Sequence, residues 1–177
     1  HFKNMKKFVL SATLLLSVAT FAQKEELKTL KKIYAKETIS VKDLEAYKTA
    51  SDALNTLAAE ESDKVYAKFY MVMYPTIELA SKGDKATMQD QMKLYNPEFI
   101  KQYGAVINET IDFETKSGKK IYSEELIQEK AEFKKGLSAL AMNFNNTSKF
   151  KEASALFYSL YTFDPKEEGK SLKNASI

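Results

Sequence analysis

The chain has no cysteine and no tryptophan, and its one histidine is the first residue. Every basic residue is lysine; arginine is absent. Glycine occurs 5 times and proline 3 times in 177 residues. Each absence excludes something. Without cysteine there is no disulfide, thiolate nucleophile or lipid-modified cysteine, and without histidine beyond His1 there is no imidazole base, haem ligand or usual zinc site. Without arginine the chain lacks the residue best suited to bidentate grip on phosphate or carboxylate. Few helix breakers, set among many Lys, Glu, Leu and Ala, favour helix almost throughout. The length fits one or two small domains and suffices for a real core.

What is present begins with a leader. Met5, Lys6 and Lys7 form a positive start, and FVLSATLLLSVATFA (8–22) is an apolar run too short to span a bilayer comfortably. Thr20 and Ala22 are small residues at the positions a signal peptidase reads, so the expected cut lies between Ala22 and Gln23. HFKN, ahead of Met5, reads as upstream sequence in frame, which puts His1 outside the working protein. Residues 1–22 are thus upstream residues plus a Sec signal peptide. Their removal takes away Lys3, Lys6 and Lys7 but no acid, so the remaining lysines balance the 24 acids. A near-neutral chain lacks the electrostatic footprint of a nucleic-acid binder. With the apolar run gone, no stable membrane anchor is expected.

The rest reads as a string of helices. Leu27, Leu30 and Tyr34 share one helical face in 24–36. Ser40 and Asp43 form a capping box for a helix over about 41–59, with Val41, Leu44, Tyr47, Leu54 and Leu57 on its stripe. A third helix from Asp63 carries Tyr66, Phe69, Tyr70, Met71, Met73 and Tyr74, with Pro75 predicting a kink or break and Gly83 a cap. A shorter helix occupies 85–95. Asn96-Pro97 starts another, which carries Phe99, Ile100, Tyr103, Val106, Ile107 and Ile111 and stops before Gly118. Ser123 is expected to cap a long helix to about Asn145. This divides the chain into a helical N-terminal region, 23–117, and a second region, 124–177.

Catalytic motifs are thin. Gly136-Leu137-Ser138-Ala139-Leu140 lacks the second glycine of a nucleophile elbow, and Gly169-Lys170-Ser171 lacks the first glycine and the strand of a phosphate loop. Asp112 with Glu114, and Glu124 with Glu125, read as solvated helix faces. Asn108-Glu109-Thr110 and Asn145-Asn146-Thr147 fit the glycosylation pattern, but a bacterial chain would normally leave them bare. No catalytic, cofactor or metal residue is assigned, and the chain is not expected to be an enzyme.

The stretch from 134 carries the most specific pattern. Leu137, Leu140, Ala141 and Phe144 fall on one helix, Ala153, Phe157 and Leu160 on the next, and Pro165 closes a unit of about 34 residues. This resembles the tetratricopeptide repeat, with Leu137 in place of the usual Trp and Leu160 in place of the usual Ala. Small Ala141 and Ala153 would let two antiparallel helices approach, with Phe144, Phe150 and Phe157 filling the space around them. One full repeat then spans 134–167, and 168–177 starts a second, with Leu172 and Ala175 repeating the register of Leu137 and Ala141. The expected fold is all-α: antiparallel helix pairs stacked as an α-α superhelix behind a helical N-terminal region.

The whole chain is similar to exported repeat proteins of Gram-negative bacteria. The resemblance implies a periplasmic or secreted scaffold whose partner is a protein, a peptide or further repeats of its own chain, held in a groove at Ser138, Met142 and Asn145. Ser138 and Met142 stand where carboxylate-clamping repeats have Lys and Asn, so that clamp is not expected. A different class also fits: a periplasmic small-molecule or glycan-binding module using the aromatic helix at 66–74.

Overall fold

The computed structural model describes residues 23–165. The expected leader with Ala22, and the expected second repeat at 168–177, lie outside the described residues. Among the described residues all regular structure is helical, with no strand. The helices form two compact units, divided after Gly83.

The first unit holds α1 (23–34), α2 (Val41–Leu57) and α3 (Glu61–Lys82). The capping box forms as expected: Asp43 N–H donates to Ser40 Oγ at 3.1 Å, and Ser40 N–H donates to the Asp43 carboxylate at 3.0 Å. Lys36 and Ser40 together hold the Asp43 carboxyl far below its ordinary range. The buried stripe of α2 is Tyr47, Ala50, Ser51 and Leu54, while Val41 faces water. Val41 is the first residue of the helix, where no neighbouring element covers it.

Pro75 does not break α3, which runs on to Lys82. Pro75 has no N–H to donate to the Met71 carbonyl four residues back. At the neighbouring carbonyl, the Tyr47 hydroxyl donates to Tyr70 O at 2.7 Å, a buried bond between α2 and α3. Edge-on ring contacts join Tyr34 to Phe69 (5.4 Å between centroids) and Tyr47 to Tyr70 (6.1 Å). Each such pair contributes about 1 kcal/mol beyond its burial.

The 3-10 turn Gly83–Lys85 crosses the division, and the second unit goes on with the short α4 (Met88–Met92) and a second 3-10 turn, Lys93–Tyr95. Then come α5 (Pro97–Ser117), α6 (Ser123–Asn146) and α7 (Phe150–Phe163). Asn96 caps α5 by accepting from Glu98 N–H at 2.9 Å, and left-handed Gly118 ends it. The three long helices pack on one another, with α7 against both α5 and α6. Gly104 makes the α5–α7 crossing possible, because a Cβ there would lie 2.4 Å from the Phe163 carbonyl oxygen.

Between α6 and α7 the chain reverses in three residues. Ser148 N–H donates to Asn145 O and Lys149 N–H to Phe144 O, which is the Schellman pattern. Ser148 sits at φ 61°, where glycine is the ordinary choice.

Candidate functional site

Three features of the second unit come together: a buried carboxylate, a polar junction beside a cavity, and an outward aromatic face. Glu114 lies on the same α5 stripe as Ile100, Tyr103, Ile107 and Thr110 and is fully buried. Its carboxylate accepts from the backbone N–H groups of Ile121 (2.9 Å), Tyr122 (3.0 Å) and Ser123 (2.8 Å). These are the orphan donors at the start of α6, at the helix's positive end. So Glu114 is not a solvated face residue. Ser123 is not the cap either: it is the first helical residue, and Tyr122 at the cap position offers no side-chain bond. An acid from the preceding helix does the capping.

The polar junction binds the end of α7 to α5 and α6. Asp164, almost fully buried, pairs with Lys130 at 2.6 Å and lies 3.9 Å from Lys134. Lys130 also donates to Asn108 Oδ1 at 2.9 Å, and Asn108 Nδ2 donates to the Phe163 carbonyl at 3.4 Å. Beneath it Tyr103, Phe133 and Phe163 cluster, with Phe133 and Phe163 centroids 5.0 Å apart. Burial, with a smaller push from Glu129, raises the Tyr103 phenol well above its ordinary value.

A cavity of about 870 Å³ opens beside this junction. Asn108, Asp112, Lys130, Lys134, Ser138 and Asp164 supply its polar wall; Ile111 and Ile127 supply apolar surface. Lysines and aspartates both line it, so the wall offers hydrogen-bond donors and acceptors rather than charge of a single sign. No group of three or more metal-ligating carboxylates or imidazoles gathers among the described residues. The arrangement suits binding by shape and hydrogen bonding.

The repeat-signature positions divide. Leu137, Ala141 and Ala153 are buried, while Leu140, Phe144 and Leu160 are half-buried. Phe157 and Phe150 do not fill the α6–α7 contact: they are 41% and 63% exposed. The inner face of α7 is Ala153, Leu156, Ser159 and Phe163, a register in which Phe157 points away. Tyr158 and Tyr161 are exposed beside it, and from Ala153 to Phe163 the helix carries no charge. Pro165 is exposed and directly follows the buried Asp164.

Of the expected groove residues, Ser138 lines the cavity. Met142 and Asn145 are exposed further along α6 and are absent from its wall. At the expected cut, Gln23 is buried, and its side-chain amide donates to Asp63 Oδ2 at 2.6 Å. The aromatic helix at 66–74 forms no open pocket wall: Tyr66, Phe69, Tyr70 and Met73 are core, and Met71 is exposed.

Sequence reasoning missed Glu114 and the Lys130–Asp164 pair. Glu114 had a signal, an acid in the apolar register of its helix. Asp164 had none, because its partners come from another helix. No protein-family model, curated protein or solved structure matches the chain.

Proposed function

We propose that this is an exported, non-enzymatic helical-repeat protein of the cell envelope, which contacts another protein or further repeats of the same kind. The observation that carries the reading is α7. Its inner face is packed through Ala153, Leu156 and Phe163, and its outer face presents Phe157, Tyr158 and Tyr161 without a charge among them. A stacked repeat has this character: one face is used within the unit and the other meets a neighbour. The buried small residues Ala141 and Ala153 support the tetratricopeptide form of that reading. α5, brought close by Gly104, lies against α7 as a preceding repeat helix would. The partner is a protein, a peptide or more of the same chain, held by shape and aromatic surface.

The cavity favours a second reading, a small-molecule or glycan module. Its volume of about 870 Å³ falls in the range of ligand sites. The reading rests on the Asn108–Ser138–Asp164 wall rather than on the aromatic helix of the first unit.

One measurement tests the export that both readings share, and a second separates them. Fractionation of a Gram-negative host expressing the whole chain should place the processed form in the envelope or medium. A thermal-shift panel of sugars and metabolites should leave the melting temperature unchanged. A processed form retained in the cytoplasm would overturn export; a saturable shift that Ser138→Trp abolishes would favour the ligand module.

A further inference from the structure

The residue just after the expected signal cut is bonded to another helix through its side chain: Gln23 Nε2 donates to Asp63 Oδ2 at 2.6 Å, tying α1 to the first turn of α3. We propose that export leaves Gln23 as the first residue of the mature protein, and that its seat on Asp63 fastens this end and keeps it from cyclising. The inference rests on the export reading above and deepens it.

The chemistry makes the seat matter. A free N-terminal glutamine reacts with itself. The α-amine nitrogen forms a bond to Cδ, the Cδ–Nε2 bond breaks, and Nε2 leaves as ammonia, giving a neutral five-membered lactam. The reaction needs the side chain folded back on its own amine and a free amide nitrogen to depart. In this protein the amide reaches to another helix and its nitrogen is held by a carboxylate. Cyclisation would remove the donor of the Gln23–Asp63 bond and the positive charge of the end.

Electrostatics suit an open end as well. A new ammonium at the start of α1 sits at the helix's positive pole, which is unfavourable by itself. Glu25 and Glu26 stand in that first turn, and Asp63 reaches the Gln23 side chain from α3, so acids on both helices lie near this end. Signal peptidase acts on an extended chain, so the cut precedes the docking of Gln23.

The test is the intact mass of the whole exported protein, made with its own leader, during incubation at neutral pH, native and in denaturant. The expected result is a chain starting at Gln23 that loses one ammonia at least about tenfold more slowly native than denatured, because reaction requires opening of α1. Asp63→Ala, incubated native, should move toward the denatured rate. Equal native and denatured rates from a chain starting at Gln23 would overturn the protective seat and leave export standing. A chain starting at another residue would overturn both.

Discussion

α3 and α7 are the two aromatic-rich helices, and they treat their aromatics in opposite ways. In α3, Tyr66, Phe69 and Tyr70 are buried and held by ring contacts and the Tyr47 hydroxyl. In α7, Phe163 alone among the aromatics is buried, and Phe150, Phe157, Tyr158 and Tyr161 face outward. The difference lies in register. In α3 the aromatics fall at 66, 69, 70 and 74, the spacing of one inward stripe. In α7 the inward stripe is 153, 156, 159 and 163, and small or aliphatic residues occupy most of it. Composition alone would rank the two helices together; the register separates a core helix from one with an outward aromatic face.

The units also differ in how they are tied. The first has one buried tyrosine–carbonyl bond at its centre, the second a buried carboxylate serving three backbone donors. Glu114→Ala is therefore expected to cost on the order of 4 kcal/mol in urea unfolding, since it strands buried N–H groups. Tyr47→Phe should cost about 1 kcal/mol. Equal losses would break the contrast.

Within α7, neighbouring residues should behave unlike one another. Leu156→Ala removes a buried side chain and is expected to cost about 3 kcal/mol. Phe157→Ala, one position on, should cost about 1 kcal/mol or less in the isolated chain. A large loss at Phe157 would make the outer face part of the core.

A smaller effect tests the α5–α7 crossing. Gly104→Ala drives a Cβ into the Phe163 backbone and should cost about 2 kcal/mol. Gly136→Ala, in open space on α6, should gain up to about 1 kcal/mol from helix propensity. The two opposite signs can be read from paired thermal melts.

Much of this was legible in the sequence. The helix starts at Ser40 and Asn96, the stop at Gly118 and the buried pair Ala141–Ala153 follow from local chemistry and spacing. The illegible part is what one helix does for another. Nothing near Ser123 announces that its cap is Glu114, and nothing near Phe163 announces Lys130 or Gly104. Phe157 was misplaced because the repeat pattern marks it as a packing position without saying whether its neighbour is in the same unit.

The smallest expected effect is electrostatic. Burial, and then the charge of Glu125, raise the Glu129 carboxyl above its ordinary 4.5. The stabilising contribution of its protonated form is full below pH 4.5 and is lost as pH rises through the raised folded value. Glu129→Gln should therefore raise the melting temperature slightly at neutral pH, with the gain fading as the medium is acidified below that value.

The most direct measurement places a photo-crosslinking amino acid at Phe157 or Tyr161 on α7, and at Met71 on the exposed side of α3, in the whole chain expressed in its own host. The account expects defined crosslinks to another polypeptide, or to repeats of the same kind, from the α7 positions and none above background from Met71. Equal yields from α3 and α7, or no product from α7, would contradict the claim that the outer face of α7 is a contact surface.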